Sequence, residues 1–293
     1  MENNFFCIAE HTISINFCDL GDNNIGLLPS FGIFRCEAKE STALFFSLTV
    51  DDKLRPEHDK KLIRNFDTGN GNTAVYVLPD GGYQYIIKDI YDRDCCLLIC
   101  HNQFRECKCA LNGDWTMRSF GLNNALMLAF AFAGAYQETL LIHASCIVSG
   151  EKGYPFTAKS GTGKSTHTSL WMKHIEGCEL LNDDNPIIRV INGQAFIYGS
   201  PWSGKTPCYR NVKVRLGAIV NIERAKRNYI ERLPVVQAFA SLLPSCSSMK
   251  WDEELYGNQC QILSKVMEQT PVYTMHCLPD EEAAHVCHDA IAN

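Results

Sequence analysis

The alternation of apolar and polar positions divides the chain at about residue 116. Up to there, short runs rich in Phe, Ile, Val, Tyr and Leu are broken by turn residues such as Gly21-Asp22-Asn23-Asn24 and Pro79-Asp80-Gly81-Gly82, the pattern of an antiparallel sheet. The runs 74–78 and 83–87 flank the second of these turns as the arms of a hairpin would. A helix is predicted over 119–136, and its apolar stretch 125–136 falls short of the about 20 residues that span a bilayer. Beyond it, strands are predicted at 140–148, 153–157, 179–181, 186–191, 195–198, 214–220 and 272–277, interleaved with helices at 166–174, 235–243, 255–269 and 280–292. This predicts a mostly antiparallel β-rich domain over 1–115 and an α/β unit over 116–293, α+β for the whole chain.

Candidate chemistry concentrates in the second half. The run Ala158-Lys159-Ser160-Gly161-Thr162-Gly163-Lys164-Ser165-Thr166 lies between a predicted strand and a predicted helix, the context a phosphate-binding loop requires. Gly161 and Gly163 permit a tight turn whose N–H groups face phosphate oxygens, Lys164 can reach the β and γ phosphates, and the Ser165 hydroxyl can sit on Mg²⁺. The helix dipole adds about half a positive charge at the same place. Ala158 stands where the usual pattern has its first glycine. ATP, or another nucleoside triphosphate, with Mg²⁺ is therefore the expected ligand, held by Ser160, Gly161, Thr162, Gly163, Lys164, Ser165 and Thr166.

Asp183-Asp184 follows nineteen residues after Lys164, at the end of an apolar run. Two carboxylates beyond a phosphate loop supply what phosphoryl transfer to a hydroxyl still needs, one to hold Mg²⁺ and one to take the acceptor's proton. The plainer alternative is a solvated Asn-Asp-Asp-Asn turn. His143 sits in an apolar strand that runs toward the loop. The segment Tyr198-Gly199-Ser200-Pro201-Trp202-Ser203-Gly204-Lys205 offers Lys205 to phosphate and Trp202 as a stacking surface, or else a simple turn with a packed tryptophan. Arg210 and Arg215 follow as further cations for the transferring group.

Composition narrows the partners. The net charge is −6 with 20% charged residues, which excludes the overall basic balance that favours long contacts with nucleic acid. Fifteen cysteines, an odd number, combine with a start that has no basic residue ahead of its short apolar run. Reduced thiols in a cytoplasmic protein, with no membrane association, are expected. Cys95, Cys96, Cys100, Cys107 and Cys109 fall on two predicted strands joined by a short turn, but lack C-x-x-C spacing and read as small buried hydrophobes rather than zinc ligands.

Taken in order, His143-Ala144-Ser145, the loop 160–165, Asp183-Asp184 and Gly199-Ser200-Pro201-Trp202-Ser203-Gly204-Lys205 resemble the HPr serine kinase and phosphoenolpyruvate carboxykinase group of P-loop proteins. The resemblance is strongest to the HPr-kinase-like branch that includes lasso-peptide precursor kinases, and it spans about residues 140–280. It implies a PEP-carboxykinase-like P-loop domain with a mixed sheet, in which Lys164 and Ser165 bind nucleotide phosphate and Mg²⁺. It further implies that Asp184 assists the metal while Asp183 acts as base near His143, and that the chain tends to form a homo-oligomer. The Glu-x-Arg-Gly-x-Gly segment of true HPr kinases is absent, which argues against HPr as substrate and against the reverse phosphorylase activity. Carboxykinases are far longer chains, and their activity is not expected. The expected protein is an ATP- and Mg²⁺-dependent kinase acting on a hydroxyl of a peptide, protein or small molecule; the alternative is a non-catalytic ATP-binding module or accessory protein in peptide modification.

Overall fold

The computed structural model describes residues 2–18, 21–37, 42–67, 71–159 and 161–292. They form two compact units, Met1–Tyr136 and Gln137–Asn293, each a mixture of helix with a mixed sheet.

The first unit carries β1 (Glu2–Ile8), β2 (His11–Phe17), β3 (Phe46–Val50), β4 (Lys61–Asp67), β5 (Asn72–Val77), β6 (Tyr83–Lys88), β7 (Asp94–His101) and β8 (Glu106–Leu111), followed by α1 (Trp115–Gly134). The strand order is β1-β2-β3-β8-β7-β6-β5-β4. Most junctions are antiparallel, as the turn-punctuated pattern predicts, but β2 with β3 and β3 with β8 run parallel. The sheet is therefore mixed, because long connections separate these strands in sequence and a tight turn cannot set their direction.

Asp114 caps α1 by accepting from the Met117 N–H at 3.0 Å. The helix packs across β7, and Gly121 makes the approach: a Cβ there would lie 2.8 Å from the Cys95 carbonyl and 2.8 Å from the Cys96 Cβ. That contact puts α1 with the first unit, so the compact units divide after Tyr136 rather than at 116. Cys95, Cys96, Cys100, Cys107 and Cys109 are all buried, and Cys107 lies opposite Cys100 with their sulfurs 3.1 Å apart. Burial pushes the Cys95 thiol up to about 11, which leaves it protonated and unreactive near neutrality.

The second unit contains β9 (Thr139–Leu141), β10 (Ala144–Ser149), β11 (Lys152–Thr157), α2 (Lys164–His174), β12 (Cys178–Asp184), β13 (Ile187–Ile191), β14 (Gln194–Tyr198), β15 (Lys213–Leu216), β16 (Ile219–Arg224), β17 (Tyr229–Arg232), α3 (Val235–Leu242), α4 (Glu253–Gln269), β18 (Val272–Cys277) and α5 (Glu281–Ile291). At its centre β11 has antiparallel β10 on one edge, with β12 beyond. On its other edge β15 and β16 run parallel to it, and β16 pairs in turn with parallel β18.

Successive residues of a strand point to opposite faces, and this sheet buries both. Cys146 of β10 joins a core with Leu181, Ile197, Ile262 and Leu263 on the α3 and α4 side. Its neighbour Ile147 joins Phe156, Trp171, Met275 and Cys287 on the α2 and α5 side. Full burial of Phe156 alone stabilises by about 1.5–3 kcal/mol.

Two predicted strands are interrupted. The run 140–148 is mostly apolar, with His143 and Ser145 as its polar members, and it breaks at Ile142-His143, where the chain leaves β13 as partner and takes up β11 and β12. The His143 N–H there donates to Ser245 O at 2.7 Å. The run 214–220 breaks at Gly217-Ala218, where a Cβ on Gly217 would meet the Tyr154 ring at 2.6 Å. Conversely, β12 runs on through Asp184, so the paired aspartates lie in a strand and not in a turn. Among the described residues no helix is long and apolar enough to cross a membrane.

Candidate active site

The loop between β11 and α2 leaves the centre of the sheet and enters a helix with no side-chain cap. Gly161 and Gly163 take φ of +75° and +131°, values that an L side chain rarely adopts. No heavy atom lies within 4 Å of where a Gly161 Cβ would stand, so the space beside the loop is open. The helices α1, α4 and α5 each begin on a capping aspartate, whereas the first N–H groups of α2 have Gly163 before them and no acidic residue in the first turn. A helix start of this kind suits an anion. The loop is held from outside by Arg224 at the end of β16, which donates to Gly161 O at 2.7 Å and Thr162 O at 3.1 Å.

Asp183 and Asp184 reach the loop because β12 lies beside β10, with Asp183 opposite Ser145 and Asp184 opposite Ala144. The Ser165 hydroxyl donates to Asp183 Oδ1 at 2.8 Å. Asp184 Oδ1 lies 3.0 Å from His143 Nδ1, and Lys164 Nζ lies 2.9 Å from His143 Nε2. A lysine ammonium can only donate, so Nε2 is the accepting nitrogen and the ring proton sits on Nδ1, directed at Asp184. Lys164, His143 and Asp184 thus form one chain of hydrogen bonds. It is Asp184 that touches His143, where the resemblance implies Asp183. Burial pulls the Lys164 ammonium below its ordinary value, with Asp184 and Asp183 acting in the opposite direction.

The segment 199–205 packs against the acid pair. The Gly204 N–H donates to Asp183 O at 2.7 Å, and a Cβ on Gly204 would lie 2.6 Å from that same oxygen. Trp202 is 2% exposed and packs as core, so it offers no stacking face to a ligand. Lys205 is exposed on the following turn and is not among the side chains joined in the cluster. Arg210 is engaged at the middle of β12, donating to Leu180 O at 2.9 Å and to Glu179 at 2.8 Å. Thr162 closes the loop turn through its N–H to Lys159 O at 3.1 Å, and Thr166 is exposed in the first turn of α2. Ser160 lies outside the described residues.

Asn182 has a role that its residue type does not announce. It is fully buried, and its amide donates to Ser200 Oγ at 3.2 Å and Trp202 O at 3.0 Å. Its carbonyl accepts from the Asp184 and Asn185 N–H groups at 3.1 and 2.8 Å. One side chain therefore fixes both the aspartate strand end and the segment that covers it. An asparagine that directly follows the apolar Leu180-Leu181 and precedes two acids is the signal that could have found it.

The arrangement fits a nucleotide with Mg²⁺. It offers an open, glycine-bearing turn, an uncapped helix start, a half-buried lysine, and a hydroxyl paired with a carboxylate. Among the described residues no three His, Cys, Asp or Glu side chains converge on a preformed metal cage. Mg²⁺ commonly takes one or two carboxylates and completes its shell with phosphates and water, which suits this sparse donor set.

No protein-family model matches the sequence, and no curated protein matches it. Among solved structures, the Hpr(Ser) kinase/phosphatase from Coxiella burnetii aligns at 10% identity with a TM-score of 0.31, over 51% of this chain and 95% of that one.

Proposed function

We propose that the unit 137–293 is a PEP-carboxykinase-like P-loop kinase, which uses a nucleoside triphosphate and Mg²⁺ to phosphorylate a hydroxyl. The observation that carries this reading is the convergence at one loop of Ser165 on Asp183 and of Lys164 on the His143–Asp184 pair. The antiparallel β10 and β12 beside β11 support the mixed-sheet version of a phosphate-loop fold over a fully parallel one.

The chain's own groups divide the work. Lys164 turns from His143 to the β and γ phosphates, and the loop N–H groups and the start of α2 orient them. Ser165 and Asp183 would hold Mg²⁺, which when bound would supply charge neutralisation on the phosphate oxygens. With Lys164 withdrawn, His143 Nε2 faces the reaction space, and Asp184 keeps the ring in that tautomer through Nδ1. The acceptor oxygen bonds to the γ phosphorus as the bridging P–O bond breaks, the diphosphate leaves, and the acceptor's proton passes to His143 Nε2. Catalysis is then positioning and electrostatics with one proton acceptor. These assignments give Asp183 to the metal and make Asp184 the partner of the base His143, whereas the resemblance implies Asp184 at the metal and Asp183 as base. The His143 and Asp184 side chains are 45% and 29% exposed, which leaves the pair accessible to an acceptor as large as a peptide or protein.

The test is calorimetry with ATP and Mg²⁺, then ADP formation in the presence of seryl peptides, candidate proteins and small alcohols. Binding that Lys164→Ala removes, with turnover on at least one acceptor, is the expected result. Binding without turnover on any of them favours the non-catalytic module, and absence of binding overturns the nucleotide reading.

A further inference from the structure

The phosphate loop has unlike neighbours on its two sides. Toward β10 and β12 stand the carboxylates and His143; toward β16 and β18 opens a cleft of about 490 Å³. Its wall is formed by Leu170 from α2, Ile222 and Ala225 from the end of β16, and Leu278 and Pro279 beyond β18, with Arg224 at the junction with the loop. The wall is braced. The Ala225 N–H donates to Cys277 O at 3.1 Å, and the Asn228 side chain accepts from the Leu278 N–H at 2.8 Å while donating to Asp280 at 2.9 Å. A cleft of this size, apolar on its sides and open to the loop, is shaped for a flat heterocycle attached to a phosphate chain.

We infer that this cleft takes the base and sugar of the nucleotide, so that the triphosphate crosses the loop with its nucleoside toward β16 and β18 and its γ phosphate toward Asp183 and Asp184. The inference rests on the nucleotide reading and adds the direction in which the ligand lies. The sheet order dictates that direction, because β11 delivers the loop between the acidic edge and the cleft. It also limits selectivity. Of the polar side chains at the cleft, Arg224 holds the loop carbonyls and the His167 ring nitrogen Nε2 accepts from Trp171 at 3.2 Å, which leaves the hydroxyls of Thr162 and Thr166 beside the phosphate loop. No carboxylate or amide side chain lines the cleft to read the hydrogen-bonding edge of a base. The cleft therefore selects a flat ring by shape and apolar contact, and discriminates weakly between purines.

The experiment compares Mg²⁺ complexes of ATP, GTP and inorganic tripolyphosphate by calorimetry, on the full chain and on Ala225→Phe and Leu278→Ala. A bicyclic base that buries on the order of 100 Å² of apolar surface gains on the order of tenfold or more in affinity. ATP is expected to bind at least about tenfold more tightly than tripolyphosphate, with GTP within about tenfold of ATP. Ala225→Phe, which fills the cleft, should bring ATP down to the level of tripolyphosphate and leave tripolyphosphate binding unchanged. Leu278→Ala, at an exposed position, should give a partial loss of the same kind. Equal binding of ATP and tripolyphosphate to the unaltered chain would overturn the cleft assignment and leave the phosphate-loop reading standing. A preference between ATP and GTP far above tenfold would overturn selection by shape. If none of the three binds, both readings fall together.

Discussion

The Ser165 hydroxyl donates to Asp183 at 2.8 Å, across a sequence separation of eighteen residues. The contact joins the start of α2 to the end of β12, and under the proposed function this hydroxyl and carboxylate would hold Mg²⁺. Ser165→Ala and Asp183→Asn should each raise the Mg²⁺ concentration for half-maximal turnover by at least about tenfold. Titrating ADP formation against Mg²⁺ at saturating ATP measures this. An unchanged Mg²⁺ requirement in both variants would remove Asp183 from the metal.

His143 and Asp184 are expected to behave as one unit. His143→Ala should lower kcat by roughly 10²–10⁴-fold while leaving the calorimetric affinity for ATP nearly unchanged, since a proton acceptor acts on the transfer and not on the grip. Asp184→Asn should cost a comparable factor by releasing the ring from its Nδ1–H tautomer. The double variant should be little worse than either single one, as for groups that work only together. Additive losses would show that the two act separately.

The parts of this site that were legible in the sequence are those whose chemistry needs contiguous residues. Gly161-Thr162-Gly163-Lys164-Ser165 announces a tight glycine turn leading into a helix in one run, and Asp183-Asp184 announces a charge pair. Which aspartate meets which partner was not legible. Neighbouring residues of a strand face opposite ways, so the answer depends on β12 continuing through Asp184 in register with Ala144 and Ser145. The polar run Asn182-Asp183-Asp184-Asn185 looks like a turn because turn residues dominate it, and pairing with β10 overrides that local preference. The break at Ile142-His143 was hidden for a related reason. A mostly apolar run does not state where it exchanges one strand partner for another, and His143 at that exchange lies 2.9 Å from Lys164.

Asn182 should prove a structural keystone of the site. Replacing it by leucine leaves the Asp184 and Asn185 N–H groups without this acceptor and removes one of the two donors to Trp202 O. Unsatisfied buried groups cost about 1–3 kcal/mol each, so Asn182→Leu should lower Tm by roughly 5–10 °C. Scanning calorimetry gives the shift. A variant that melts normally would mean that water or rearrangement takes over these contacts.

His167 predicts how stability responds to acid. The ring is 3% exposed, and burial alone pulls its pKa down from 6.5 to about 4. It packs edge-on against Phe156 at 4.9 Å, and Nε2 accepts the Trp171 N–H at 3.2 Å, a bond that protonation at Nε2 would abolish. Above pH 6.5 the ring is neutral in both folded and unfolded chains, and the stabilisation is fully present. As pH falls toward 4 the unfolded chain takes up the proton first, so acid favours unfolding. The contribution lost between pH 7 and pH 5 is about 2 kcal/mol. His167→Gln keeps an acceptor near Trp171 but cannot titrate in this range. Urea unfolding of the nucleotide-free protein at the two pH values should therefore show a loss in the unaltered chain that exceeds the loss in His167→Gln by about that amount. Equal losses would mean that His167 is reached by water in the folded chain, and that the α2 core around Trp171 is looser than its burial indicates.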